Sequence, residues 1–577
     1  MIGLDVETTM GEPPRLLCVA LGGRFLDAHT PEAAARAVAE VMRTEEELAL
    51  FNAAFDLDAL ARAGLPREWI ANRIREGRIH DAMILYQLLW LAEGGEVLAG
   101  GKLDTPVPFV GLQWCAETYL GEHLEKDLQT AWEAIYATGG PTEAQKQYVL
   151  KDAEAARRLV EMLLPRAQAY SPSALTEAVQ IGAALALLEL GRVEIPFDRE
   201  RAERMLEERE REFTRRLANG PFVKGGHKCI KELREYVAGR VPLTPGGKPS
   251  TARAALLALK DDPRIREHLG ICALEKEIGF LRNWLNRRRI RPRYLPLVAT
   301  GRTSCRDPNL QQVPVGLKCL FGLGTELDYH ALELRAWAAI LASRGWPQLG
   351  EALAAGRDLH AEVSMMIFGD AAPEHRQLAK AANFGFAGGM GAEKFRATLA
   401  KSGVAITLEE AQRIRRAWRR LPGVEGWLWD PASGRLARYG DPVAVSMALR
   451  AATLDPGVRE LVLSMELPEA LQEEAAAGHG SARLEAWVAQ RECRTLTGRV
   501  RAPVGYSEYL NGQFQGLAAD GTKLALLAAW ERGVPLRAFV HDSFCVPREW
   551  APEMARIMTR EMEALLGLPA PVETKET

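Results

Sequence analysis

The sequence predicts a multidomain protein of mixed class, α/β at the N-terminal end and α+β at the C-terminal end, with a mainly helical stretch between them. Three observations predict it. At 577 residues the chain is too long for one hydrophobic core. Short apolar runs alternate with helix-like patterns as far as about Leu164, the mark of a compact α/β unit. From about Ser171 to Asn286 the periodicity is helical, as in "FDRERAERMLEEREREFTRRL", and from Arg291 strand and helix patterns mix again. The boundaries expected are 1–165, 166–299 and 300–577.

The first two apolar runs, residues 2–6 and 16–21, are separated by turn-like residues and predict paired strands. The polar, glycine-rich "LTPGGKPSTA" predicts a break in the helical region. Strands are expected near Gly316–Leu327 and Leu536–Pro547 with helices between, and "DPASGRLARYGDP" (430–442) reads as a connecting loop.

Composition excludes some classes. The opening "MIGLDVETTM" has neither a basic nor an apolar leader pattern, and the most apolar window, "IGAALALLEL", is interrupted by Glu189 and too short to span a bilayer. Eight scattered cysteines without a CxxC pair predict reduced thiols, so a cytoplasmic protein without a membrane partner is expected. The net charge of −3 hides two dense basic runs, "RRRIRPR" (Arg287–Arg293) and "RIRRAWRR" (Arg413–Arg420). Alone, each reads as a solvated helix face.

The chemistry begins in "LDVETT". Asp5 and Glu7 are two apart on a predicted strand, so both carboxylates leave one face and call for a divalent cation between them. In "FNAAFD" Asn52 and Asp56 stand at i, i+4, and in "YVLKDAE" Tyr148 and Asp152 do the same. Four acids and a tyrosine in this order suit two-metal phosphodiester hydrolysis. Together with "HDAMILYQLL" they resemble the DEDD-type 3′–5′ exonucleases of the subclass with a tyrosine before the last acid. The resemblance implies an RNase H-like domain, metal ligands Asp5, Glu7, Asp56 and Asp152, and Tyr148 orienting the attacking water.

A second set lies downstream. "AFVHDSFCVP" (Ala538–Pro547) reads as a strand with a charge in its middle, and a buried lone carboxylate costs several kcal/mol, on the order of 3–5, unless paired or metal-bound. Its best partner is more than two hundred positions upstream in "LDYHALELRAWA", where Asp328 ends an apolar run. Between them, Arg376, Lys380 and Phe384 recur every four residues and share one helix face, fit to grip a polyphosphate and stack a base.

"DYHALELR", "RQLAKAANFG" and "VHDS" resemble the polymerase motifs of family A DNA polymerases, the bacterial DNA polymerase I and phage type. "TGRTSCRDPNLQQVP", "DLH" and "NGQFQGLAADGTKLA" add to the match, which runs through nearly the whole chain. The resemblance implies a right-hand polymerase after the exonuclease domain: a thumb at 166–299, fingers at about 340–430, and a palm at 300–339 and 431–577. It implies two Mg2+ per active site, replaceable by Mn2+, on Asp328, Asp542 and the Tyr329 carbonyl. Arg376 and Lys380 would bind the triphosphate, Lys380 as a possible proton donor, Phe384 would pack on the incoming nucleotide, and Glu333 would exclude a 2′-hydroxyl. Arg302, Asn309, Asn511, Gln515 and His541 would contact primer–template DNA. Arg287, Arg288 and Arg289 would then meet duplex phosphates, and a monomer acting on DNA and dNTPs follows. The family's separate 5′-nuclease is expected to be absent, since the first motif starts at residue 5, and the setting expected is phage or plasmid replication. Helicase or processivity partners are not legible.

Two departures stand out. Where the family has His-Asp-Glu, this chain has His541-Asp542-Ser543, which predicts weaker metal affinity. Four residues after Phe384 it has Gly388 in place of a tyrosine, so Glu333 must find another partner. These departures prompt one alternative, a nuclease whose polymerase half is a DNA-binding platform. A bacterial gap-repair polymerase and a non-catalytic scaffold are the others.

Overall fold

The apolar run that opens the chain forms β1 (Ile2–Thr8), and it pairs antiparallel with β2 (Leu16–Leu21), as the two runs predict. The computed structural model describes residues 1–95, 107–124, 132–401 except 242, 245 and 258, then 404, 406–420, 424 and 492–576. Gly22 and Gly23, both at positive φ, turn β2 tightly into β3 (Arg24–Asp27). Helix α1 (Pro31–Arg43) starts on Thr30, whose hydroxyl accepts from the Ala33 N–H. It leads to β4 (Leu48–Leu50), parallel to β1. Helices α2 (Ala53–Arg62) and α3 (Arg67–Arg75) precede β5 (Ile79–Asp81), parallel to β4. The sheet order is therefore β3-β2-β1-β4-β5.

Helix α4 (Ala82–Ala92) is buried on nearly every side. Helix α5 (Glu143–Tyr170) opens with a capping box between Thr142 and Gln145 and lies across β1. Gly3 allows that approach, because a Cβ there would fall 2.1 Å from the Ala153 carbonyl oxygen.

The middle of the chain is helical, as expected. Helix α6 (Ala174–Arg192) packs into the main core, and α7 (Arg199–Asn219) runs alongside α8 (Pro263–Leu285). Between α7 and α8 a small hairpin, Val223–Lys224 with His227–Lys228, interrupts the helical pattern. Its two-residue turn is Gly225-Gly226, both at positive φ, which a glycine pair adopts without steric cost.

The last part builds a second, four-stranded antiparallel sheet. β6 (Thr325–Tyr329) precedes α9 (Leu332–Ser343), α10 (Leu359–Phe368), α11 (Pro373–Ala387) and α12 (Leu408–Trp418). Then come α13 (Tyr506–Glu531), β7 (Ala538–Val540), β8 (Ser543–Val546), α14 (Ala551–Leu566) and β9 (Val572–Glu576). The order is β7-β8-β6-β9. Helix α13 packs on α6, α9 and α14 and ties the sheet to the rest of the molecule.

Two expectations are corrected here. The run 316–327 is not one strand: Val315–Leu320 is a 3-10 helix, and only Thr325–Tyr329 enters the sheet. The run 536–547 is not one strand either. It folds back on itself as β7 and β8, with His541 and Asp542 as the turn and His541 at a φ of 59°. The charge interrupts the apolar run because it sits at the hairpin tip. The predicted loop at 430–442 lies outside the described residues. Among the described residues, no single helix is long and apolar enough to cross a membrane.

Candidate active site

β6 and β8 bring the distant acids together. In their ladder Asp328 lies opposite Ser543, the neighbour of Asp542, so chain pairing closes the long sequence gap. Both carboxylates line one cavity of about 700 Å3, a volume suited to a nucleotide-sized ligand. Burial, then the charge of Asp542, pushes the Asp328 carboxyl above its ordinary range, although Lys575 opposes this from 3.7 Å. Burial also raises Asp542, against the pull of the Arg302 guanidinium. Each carboxylate is thus short of positive charge.

The opposite wall supplies some. Helix α11 places Arg376, Lys380 and Phe384 along the cavity, as their four-residue spacing predicts. Arg376 is anchored, donating from Nε to Asp358 Oδ2 at 2.7 Å, and Asp358 caps α10. His360 on α10 meets Asn383 of α11 at 3.0 Å, and Asn383 accepts from the Trp418 indole of α12 at 3.0 Å. Burial lowers His360 to about 4, so this chain of contacts is neutral at pH 7 and serves to lock three helices together. Arg302, Glu333, Tyr329 and His541 complete the predicted residues at the cavity. The Tyr329 hydroxyl donates to the Met558 carbonyl at 2.9 Å, away from the acids, so only its backbone faces them.

Other predicted residues lie elsewhere. Asn309, Asn511, Gln515 and the Arg287–Arg289 run are not in the cavity lining. Asn309 caps a short 3-10 helix by accepting from the Gln311 N–H. Arg287 donates to the Asp307 carbonyl at 3.0 Å, Arg289 pairs with Glu194 at 3.3 Å, and Arg288 is exposed.

A second neighbourhood forms at β1. Asp5 and Glu7 on β1 and Asp56 on α2 are close enough that, after burial, the charge of Asp5 and then those of Asp81 and Glu7 raise the Asp56 carboxyl. On α5, Tyr148 and Asp152 join them: burial, then Asp152, Glu7 and Asp5, raises the Tyr148 phenol. Asp81 is a residue that sequence reasoning passed over. It accepts backbone N–H groups from Asn52, Ala53 and Met83 at 2.8–3.0 Å, pinning the start of α2 that carries Asp56. Burial pushes Asp81 up to about 6. The signal was present: an aspartate directly before the apolar "AMILYQLL" reads as a helix cap. Among the described residues, no three of His, Cys, Asp and Glu converge so as to hold a metal ion by themselves.

Comparison with known proteins fits this geometry. The family model described as DNA polymerase family A matches residues 230–433. DNA polymerase I of Helicobacter pylori (strain J99) is 29% identical over 313 residues, which are 48% of this chain and 28% of that protein. The thermostable DNA polymerase I of Thermus aquaticus is 28% identical over 397 residues, 62% of this chain and 42% of that protein. Over residues 230–433, then, the chain matches DNA polymerase family A. It spans well under half the length of these curated relatives. A solved structure of the same fold is described as the POL domain of Pol1 from M. smegmatis in complex with DNA primer-template and dNTP. It has a TM-score of 0.65 and 20% identity, and the match covers 100% of this chain and 94% of that one.

Both departures acquire a physical setting in the structure. Glu333 pairs with Arg302, which is the partner its position requires. Gly388 is held by space: a Cβ there would fall 2.2 Å from Asn511 Oδ1, and Asn511 Nδ2 donates to the Gly388 carbonyl at 3.3 Å. Asn511 therefore fills the room that a side chain at 388 would need. Ser543 Oγ lies 3.1 Å from Glu326 Oε1.

Proposed function

We propose that this chain is a family A, template-directed DNA polymerase that adds dNMP to a primer 3′-hydroxyl. The observation that carries the reading is the union of Asp328 and Asp542 at one cavity wall, facing Arg376 and Lys380 on the other. Two half-buried carboxylates with raised pKa and hard oxygen donors fit a divalent cation such as Mg2+ or Mn2+. Asp328 and Asp542 would hold it, with the Tyr329 backbone. When bound, such ions lower the pKa of an attacking hydroxyl and neutralise a leaving pyrophosphate.

The chain's own residues do the rest. Arg376, kept in place by Asp358, and Lys380 offset polyphosphate charge, and Lys380 is positioned to give a proton to the leaving group. Phe384 supplies an apolar face for a base or sugar. Glu333 limits space at the sugar, held by Arg302. His541 stands at the hairpin tip beside Asp542, where a primer end would lie. Asn309, Asn511, Gln515 and the Arg287–Arg289 run are assigned to template and duplex contact, with residues 166–299 as thumb and the rest of 300–577 as palm and fingers.

The β1 neighbourhood supports a second activity in the same reading: 3′–5′ proofreading hydrolysis in an RNase H-like domain over 1–165. On binding a divalent cation Asp5, Glu7, Asp56 and Asp152 would be drawn together as its ligands, and Tyr148 would orient the water. Primer extension with Mg2+ and degradation of a labelled single strand test both. Asp542→Ala is expected to lower synthesis on the order of 1,000-fold and leave degradation intact, and Asp5→Ala the reverse. Loss of both activities in either folded variant would show that two separate sites are the wrong picture.

A further inference from the structure

Glu326 and Asp328 are two apart on β6, so their side chains leave the same face of the sheet. Asp328 lies opposite Ser543, which puts Ser543 on that face as well. Ser543 is only 4% exposed, and its hydroxyl lies 3.1 Å from Glu326 Oε1 and 3.0 Å from the Val540 carbonyl. The other oxygen of Glu326 is 3.4 Å from Lys318 Nζ, and the glutamate side chain is 16% exposed. A strand of this sheet has no packing need for an acid at that depth. Glu326 is nonetheless oriented from both ends, by a hydroxyl and an ammonium, one pleat away from Asp328.

We infer that Glu326 is a positioning residue of the polymerase site: it adds a third negative charge behind the Asp328–Asp542 pair and so raises that pair's affinity for a divalent cation. Ser543 is its anchor, since its hydroxyl holds one Glu326 oxygen at 3.1 Å on the sheet face that carries Asp328. In a partly buried setting of reduced dielectric, a charge one pleat away acts strongly on a bound cation without touching it. Lys318, 3.4 Å away, offsets the charge of the glutamate when no cation is bound. The inference rests on the polymerase reading of this cavity.

The test is Mn2+ binding to the full chain, without DNA or nucleotide, followed by electron paramagnetic resonance of free Mn2+. Asp542→Asn identifies the part of the binding that belongs to this site. Glu326→Gln, which keeps the shape and the serine contact, is expected to weaken that part about tenfold. The double variant Glu326→Gln with Ser543→Glu returns a carboxylate to the same face, opposite Asp328, and is expected to restore most of the loss. The Mg2+ concentration at half-maximal primer extension should move by the same factors, with the dNTP KM at saturating Mg2+ unchanged. Unchanged Mn2+ affinity in Glu326→Gln, at wild-type Tm, overturns the inference. So does a weakening that Ser543→Glu fails to reverse, which would make Glu326 merely structural. If the Mn2+ shifts occur but the wild type extends no primer, the cation role stands and the polymerase reading falls.

Discussion

Asp542 occupies the second turn position of a tight hairpin, beside a histidine at positive φ, and burial raises its carboxyl above the ordinary range. A folded-state pKa above the unfolded value means that the native protein binds the proton more tightly. Ionising Asp542 therefore costs stability, a cost that is absent at low pH and grows as pH rises through the raised pKa. Asp542→Asn removes it. In chelator at pH 8 this variant is expected to melt a few °C above wild type, with the gap shrinking as pH falls through the raised pKa of the carboxyl. Scanning calorimetry reads the difference, and a variant less stable than wild type at pH 8 would contradict it. Added Mg2+ should then raise the wild-type Tm by more than that of the variant, which keeps only the β1 site. Asn511 is a second lesson at this scale. It reads as a DNA contact in the sequence, and the folded chain sets it against Gly388, where it explains an absent side chain.

At the scale of elements, the acids on β1 depend on how closely α5 approaches. Gly3 permits that approach, and the atom it faces is a backbone carbonyl, that of Ala153, which cannot swing aside. Gly3→Ala must lift α5 off β1 and carry Tyr148 and Asp152 away from Asp5 and Glu7. The expected outcome is a loss of strand degradation of about 100-fold or more with primer extension close to wild type, since a misplacement of about 1 Å costs that much. Equal activity in the degradation assay would mean that the helix does not set the geometry. The β7–β8 hairpin makes the complementary point. Apolar residues flank the His541-Asp542 pair on both sides, so the pattern alone reads as one strand; only the left-handed backbone at His541 turns it back and brings Asp542 beside β6.

For the whole molecule, α6 is the seam. It packs on α2 of the N-terminal unit and on α13 of the C-terminal one. Gly182 sits so near Leu527 that a Cβ would fall 2.9 Å from its side chain. At this seam Lys523 is fully buried, donating to Gln180 at 2.6 Å, and burial pulls its pKa down to about 7. The unfolded lysine keeps its proton to about pH 10.4, so its penalty is full below pH 7 and is relieved as pH rises from 7 toward 10. Lys523→Met fills a similar volume without the charge. It is expected to be at least as stable as wild type at pH 7 and to gain less stability between pH 7 and pH 9.5, read by urea unfolding at both values. A steeper gain in the variant would refute that account. Arg67 closes the same seam, donating to the Trp530 carbonyl at 2.8 Å with its guanidinium over the indole at 4.9 Å.

The sequence by itself determined which side chains share a face. Asp5 and Glu7 share a face because a strand has a two-residue period, and Arg376, Lys380 and Phe384 share one because a helix turns in 3.6. Such local periods are written in spacing and need no fold to be read. Tertiary structure alone decided what long-range pairing decides: that β6 and β8 are neighbours, that Arg302 rather than solvent meets Glu333, and that Glu326 stands behind the two aspartates. Pairing across more than two hundred residues is fixed by the burial and hydrogen bonding of the whole sheet, and no stretch of spacing along the chain encodes it.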